Sequence, residues 1–151
     1  MAQGIRPIAV CVFRHRRRPD QILVEEGYDR VKEQRFFRPL GGGIEFGERA
    51  QEALAREMRE ELDATIVNVR LLGVLENIFA FEGTPGHEIV FVFEADFADD
   101  SLYDQPILEH QEAADKRIVA TWMPLAAFEG PGAPPLYPDD LLDLIRSAGS
   151  G

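Results

Sequence analysis

Apolar and β-branched residues dominate from Ile5 to Phe13 and predict a first strand, and Gln21 to Glu26 predicts a second. Arg35 to Leu40 reads as a third strand that runs into Gly41-Gly42-Gly43. From about Glu48 to Leu62 the chain is a run of good helix formers with no Pro or Gly inside it. Extended segments follow at about Thr65–Phe81 and Glu88–Phe97, and Ile118 to Met123 is a short strand closed by Pro124. Pro138 to Arg146 opens with Pro in a helical first turn and predicts a C-terminal helix. Residues 147–151 are expected to be a disordered tail. Gly83–Gly86 and Asp99–Arg117 read as loops, and loops as long as the second often line sites. No internal repeat is visible. Strands outnumber helices, with one strong helix in mid-chain and one at the end, which predicts an α/β layered domain with a mixed sheet between helices.

Composition narrows the class. A chain of 151 residues with 45% hydrophobic residues builds one sizeable core without disulfides or a structural metal. Its 27 acidic against 16 basic residues give a net charge of −11. Such a surface repels phosphate backbones and argues against a nucleic-acid polymer as main partner. A small phosphorylated ligand stays compatible, because a divalent cation reverses the local sign. Cys11 is the only cysteine, so no internal disulfide and no Cys/His zinc site can be assembled. Ile8–Phe13 is too short for a membrane span or a signal-peptide core, which suggests a cytoplasmic protein without a membrane partner. The cationic stretch from Arg14 to Arg18, followed by Pro19-Asp20, could attract phosphate, but reads first as a solvated hairpin loop.

The mid-chain helix carries the chemistry. With ~100° per residue and Ala50 at zero, Leu54 and Met58 fall at ~40° and ~80°, while Ala53 falls at ~300°. Arg49, Glu52, Arg56 and Arg59 gather near ~180–260° as a solvated face. Glu57, Glu60 and Glu61 do not join them: at ~340°, ~280° and ~20° they stand beside or among the apolar positions. Carboxylates buried without a cation are costly, so the pattern asks for a compensating charge. Arg56 can pair with one of them. A hard divalent ion suits several, because carboxylates at i, i+3 and i+4 present oxygens on one face, with Glu48 upstream as a further ligand. The ordinary alternative is a glutamate-rich solvated helix end. The glycine run favours the ligand reading, since glycines allow close backbone approach and their carbonyls and N–H groups can meet metal or phosphate. A P-loop is excluded, because Glu48-Arg49 stands where Lys and Ser/Thr are required.

These residues resemble the signature of Nudix hydrolases, G-x5-E-x7-R-E-U-x-E-E-x-G-U with U aliphatic. Gly42 is followed at the proper spacings by Glu48 and then Arg56-Glu57-Met58-Arg59-Glu60-Glu61-Leu62-Asp63-Ala64. Asp63 stands where the family has Gly; Asp tolerates the left-handed conformation, so a stability cost is expected there rather than lost chemistry. Ala64 is a small member of the aliphatic class. The resemblance implies a single Nudix domain over residues 1–146 with the family's α/β/α sandwich. It implies Mg²⁺- or Mn²⁺-dependent hydrolysis within the pyrophosphate of a nucleoside diphosphate linked to another group. Carried over by position, Glu57, Glu60 and Glu61 match metal ligands, with Glu57 also a candidate general base. Gly41 offers its carbonyl to the metal, Glu48 binds it directly or through water, and Arg56 holds a glutamate in place. A further acid outside the signature is expected, Glu112 first and Glu88 second. Homodimers are common in the family.

Substrate choice lies outside the signature. The Pro of ADP-ribose hydrolases is absent near Phe79, Phe79 and Phe81 stand where diadenosine polyphosphate hydrolases tend to have Tyr, and the Ser-Gln-Pro-Trp of NADH-type members is missing. Aromatics that could stack on a base are Phe37, Phe46, Phe79, Phe81 and Tyr103, although strand core is the commoner use. His87 beside Glu88 reads as a surface residue at a turn. The alternative to an enzyme is a catalytically silent nucleotide sensor on the same fold, which the intact glutamate set disfavours. An isomerase would want a Cys–Glu acid–base pair, and Cys11 reads as core.

Overall fold

The computed structural model describes residues 4–149. In chain order it contains β1 (Arg6–Val12), β2 (Gln21–Asp29), β3 (Gln34–Arg38), β4 (Leu40–Gly43), α1 (Ala50–Leu62), β5 (Ile66–Phe81), β6 (Thr84–Phe97), β7 (Ile107–Ala113), β8 (Lys116–Pro124) and α2 (Leu141–Gly149). The α/β class is as expected, but the strands form two four-stranded sheets rather than one. The first, ordered β4-β1-β6-β5, is mixed, with β1 parallel to β6; the second, β3-β2-β8-β7, is antiparallel. Pro39 separates β3 from β4. The segment expected to be one strand thereby supplies an edge to each sheet, since Pro has no N–H to continue a ladder.

β1 explains the unbroken apolar run. Successive side chains of a strand point to opposite faces. Ala9, Cys11 and Phe13 enter one buried cluster with Leu54 and Met58 of α1; Val10 and Val12 enter a second with Leu141 and Ile145 of α2. Both faces are buried, so both are apolar. Cys11 is fully buried, and burial pushes its thiol up, in keeping with its core reading.

Three boundaries differ from the sequence expectation. Within the predicted loop 99–117, Ile107–Ala113 forms β7, paired antiparallel with β8. Its alternating exposure marks a strand covered on one side only, a weaker sequence signal than a continuous apolar run. The Gly83–Gly86 loop contracts to a tight turn at Glu82-Gly83, both at positive φ, and Thr84 already pairs with Phe81. α2 starts at Leu141 instead of Pro138 and continues past Arg146 to Gly149; the rest of the predicted tail, 150–151, lies outside the described residues. The basic stretch behaves as the hairpin reading anticipates. Arg14 pairs with buried Glu94 at 2.8 Å, and Arg16 and Arg17 pair with Asp100 and Asp104. Among the described residues no helix is long and apolar enough to cross a membrane.

α1 ends as its sequence suggested. Asp63 sits in the left-handed region (φ 52°, ψ 40°), its N–H donating to Arg59 O while Ala64 N–H donates to Met58 O. Two helix-end carbonyls are satisfied this way, at the cost of a side chain where glycine is least strained. Asp63→Gly is expected to raise the unfolding free energy by about 1 kcal/mol, read from urea denaturation midpoints at unchanged slope.

Candidate metal and phosphate site

The glycines of β4 set how closely α1 can approach the first sheet. At Gly41 (φ 152°) any Cβ would collide with the backbone carbonyl of Ala9, and at Gly42 it would come within 2.6 Å of the Glu57 carboxyl. The carboxylate of Glu57 therefore rests on bare backbone. Without those hydrogens-only positions the C-terminal half of α1 could not bring its glutamates to the strand.

Arg56 organises the acids around it. Its Nε donates to Glu48 Oε2 at 2.8 Å and its Nη2 to Glu48 Oε1 at 3.0 Å, a two-pronged pairing. Nη2 also reaches Gly43 O at 3.0 Å, while Nη1 donates to Glu57 Oε1 at 3.1 Å and Glu60 Oε2 at 3.3 Å. Arg56 is thus partly buried in an ion network, not simply part of the solvated face on which the helical wheel put it. Glu48, just outside the helix, is held down to about 2, first by the Arg56 guanidinium and then by the N–H of Glu45.

The structure brings Glu57, Glu60 and Glu112 together: one oxygen from each lies within 4.8 Å of the others. Glu112 reaches the group from β7. Glu61 stands deeper, 4% exposed, and its Oε1 is buried with no hydrogen-bond partner among the described residues. Burial, then the neighbouring charges of Glu25, Glu57 and Glu112, push its carboxyl up to about 8. Burial also raises Glu57. Lys116 Nζ stands 2.8 Å from Glu112 Oε2 as an ion pair. An acid cluster this crowded, with an orphaned buried oxygen, fits an oxygen-seeking divalent cation.

The remaining expected residues are placed more loosely. Gly41 lines the adjoining cavity, of about 790 Å³, together with Glu57 and Glu61. Glu48 has both oxygens engaged by Arg56 and is not gathered with the triad. Glu88 also lines the cavity but faces Arg6 at 3.9 Å, and His87 is paired with Ile78 inside β6 rather than in a turn. Of the aromatics, Phe79 and Phe81 line the cavity. Phe37 packs on Phe128 and Tyr103 on Trp122 in the core, whereas Phe46 projects fully into solvent. Sequence reasoning missed Glu25 and Lys116, which reach the acid cluster from β2 and β8. No local spacing links them to α1; only strand alternation, which turns Glu25 to the opposite face from Val24, carried a hint.

A model of the NUDIX domain matches residues 5–141. Solved structures agree on the fold. A NUDIX hydrolase from Nitrosomonas europaea superimposes with a TM-score of 0.68 at 17% identity, covering 98% of this chain and 90% of the other. A MutT NUDIX hydrolase from Burkholderia pseudomallei gives 0.64 at 20% identity, covering 95% and 98%. A protein described as an ADP compounds hydrolase gives 0.61 at 18% identity, covering 100% and 77%. The fold is that of a Nudix hydrolase. By the family match the chain belongs to the NUDIX domain family.

Two outcomes follow from this geometry. Arg56→Lys keeps the charge but loses the planar fork, and is expected to lower stability by roughly 1–3 kcal/mol in urea unfolding. Folded Glu61 holds its proton to about pH 8, whereas the unfolded side chain releases it near ~4.3. The folded state thus binds the extra proton between those values, and the contribution of Glu61 to stability falls as pH rises through that window. With metal chelated, Glu61→Gln is expected to exceed the wild type by roughly 1–3 kcal/mol at pH 8, the gap closing toward pH 5. A gap independent of pH in the same urea titrations would contradict it.

Proposed function

We propose that this chain is a metal-dependent pyrophosphohydrolase that cleaves the phosphoanhydride of a nucleoside diphosphate derivative, and that residues 1–146 form its single domain. The observation that carries the reading is the set of carboxylate oxygens of Glu57, Glu60 and Glu112 within 4.8 Å, together with the orphaned Oε1 of Glu61, with Glu57 and Glu61 lining the cavity. Glu57, Glu60 and Glu112 would hold Mg²⁺ or Mn²⁺, with the Gly41 carbonyl alongside. Bound there, a divalent cation supplies charge neutralisation to the diphosphate and a more acidic water. Glu61 would accept the proton of the attacking water in its ionised form, which a cation beside it favours, since its buried Oε1 has no competing hydrogen bond. Glu57, the candidate base by its position in the signature, is a ligand in this assignment. Glu48 acts through Arg56, which it fixes in place so that Nη1 can orient Glu57 and Glu60.

The name of one structural neighbour, an ADP compounds hydrolase, is in keeping with a nucleoside diphosphate class of substrate. The net charge of −11 favours small phosphorylated substrates over polymeric nucleic acid, and the single cysteine favours a cytoplasmic setting.

The test is product analysis of wild type, Glu57→Gln and Glu61→Gln with Mg²⁺ or Mn²⁺ and a panel of nucleoside triphosphates, nucleotide sugars, ADP-ribose, NADH and dinucleoside polyphosphates. Wild type is expected to release a nucleoside monophosphate or pyrophosphate only with metal, and either variant to lose roughly 100-fold or more in kcat. Thermal stabilisation by nucleotide with no turnover anywhere on the panel would replace the enzyme with a sensor.

A further inference from the structure

Arg56 and Lys116 both face the triad of Glu57, Glu60 and Glu112, but they are held in different ways. Arg56 is anchored outside the triad: its guanidinium donates to both oxygens of Glu48 and to the carbonyl of Gly43. Giving up Glu57 or Glu60 would leave those bonds in place. Lys116 has no such anchor. Among the described residues its ammonium makes one ion pair, with Glu112 Oε2 at 2.8 Å. The Lys116 side chain is 60% exposed, whereas that of Glu112 is 16% exposed. A lysine is a point charge on a flexible stem, so it can leave such a pair without disturbing the backbone.

The hairpin between β7 and β8 sets the pair up. Gln111 is in register with Arg117 and Ala113 with Lys116, so Glu112 is the extra residue of a bulge. A bulge re-aims a side chain out of the regular alternation, and this one brings Glu112 to Glu57 and Glu60. Lys116 follows across the turn at Ala114-Asp115. Acid and counter-ion therefore share one hairpin tip, and no long-range contact is needed to bring them together. The ammonium also acts on Glu61 and Glu25, favouring their ionised forms. It thus supplies part of the compensation that crowded, partly buried carboxylates need.

We propose that Lys116 is a resident counter-ion that holds Glu112 until a divalent cation displaces it, and so weakens the metal affinity of this site. The inference rests on the metal reading of the acid cluster and adds the residue that tunes it. A cation held by Glu57, Glu60 and Glu112 has to compete with the ammonium for one of its three carboxylates. It also meets a like charge nearby, which opposes binding further. Metal loading thereby responds to the free concentration of divalent cation, and Glu112 is never a bare buried acid when no metal is held. A merely supporting role predicts the opposite sign. If Lys116 only kept Glu112 in position, removing it would loosen that ligand and weaken metal binding.

Titration of the metal-stripped full chain with Mn²⁺, followed by the paramagnetic resonance signal of the free ion, tests this without requiring turnover. Lys116→Met is expected to bind Mn²⁺ about tenfold more tightly than wild type, through loss of one positive charge at the site. Arg117→Met removes the same charge one residue on, where it pairs with exposed Glu109, and is expected to stay within about twofold of wild type. Melting curves check that each variant is folded, and Lys116→Gln takes the place of Lys116→Met if that one is not. Tightening of less than about threefold on neutralising Lys116, any weakening, or equal tightening in Arg117→Met overturns the counter-ion assignment. Wild-type binding of Mn²⁺ alongside any of those results leaves the metal reading standing. Uptake of Mn²⁺ by neither wild type nor variants removes the metal reading itself, and this inference with it.

Discussion

Five carboxylates, Glu25, Glu57, Glu60, Glu61 and Glu112, converge from a helix and two strands into a partly buried volume, and the local structure has to tolerate their mutual repulsion. Arg56 does most of that work from within the chain. Its guanidinium spans Glu48, Glu57, Glu60 and the carbonyl of Gly43 at once, so one side chain joins the loop before α1, the helix itself and the end of β4. A lysine, a single point donor, could not make these contacts together. Lys116 contributes from the other side by facing Glu112. What these two cations leave uncompensated is concentrated at Glu61, whose carboxyl is pushed toward neutrality. A site of this kind stores its incompleteness where the ligand is to bind.

The scaffold makes such a site affordable. β1 is buried on both faces and carries an apolar cluster on each, one under α1 and one under α2. α1 is pinned by Ala53, Leu54 and Met58, all fully buried, so its acidic edge cannot turn to solvent without lifting the apolar one. Because hydrophobic burial contributes about 25 cal/mol per Å², a few such side chains offset the cost of holding carboxylates at the helix–strand junction. The glycines of β4 turn that pinned helix into a close contact between side-chain carboxyl and backbone.

Much of this was legible along the chain, and the particular residues show why. The spacing of Gly42, Glu48, Arg56, Glu57, Glu60 and Glu61 lies within one loop and helix, where geometry follows from sequence separation. Asp63 likewise announced a left-handed helix end. Glu112 is a candidate from the sequence too, but in a setting that reads as a loop; a one-sided strand alternates too weakly to stand out from polar loop sequence. Pro39 splits the one predicted strand into two, in different sheets. Glu25 and Lys116 carried no local mark. Their importance comes from strand pairing, which sets Glu25 opposite Ala120 and Arg38 and Lys116 opposite Ala113.

The sequence by itself determined the helix with its misplaced glutamates, the glycine run before it, the absence of a disulfide within these residues and the family they resemble. Each depends on local periodicity, spacing or composition, which the backbone converts directly into geometry. Only the tertiary structure decided that there are two sheets, that Glu48 is taken up by Arg56, that Glu112 joins Glu57 and Glu60, and that Glu61 Oε1 is buried without a partner among the described residues. Those facts depend on which strands pair and in what register. Pairing is settled by burying two apolar clusters at once, a condition on the whole chain that no short window of it contains.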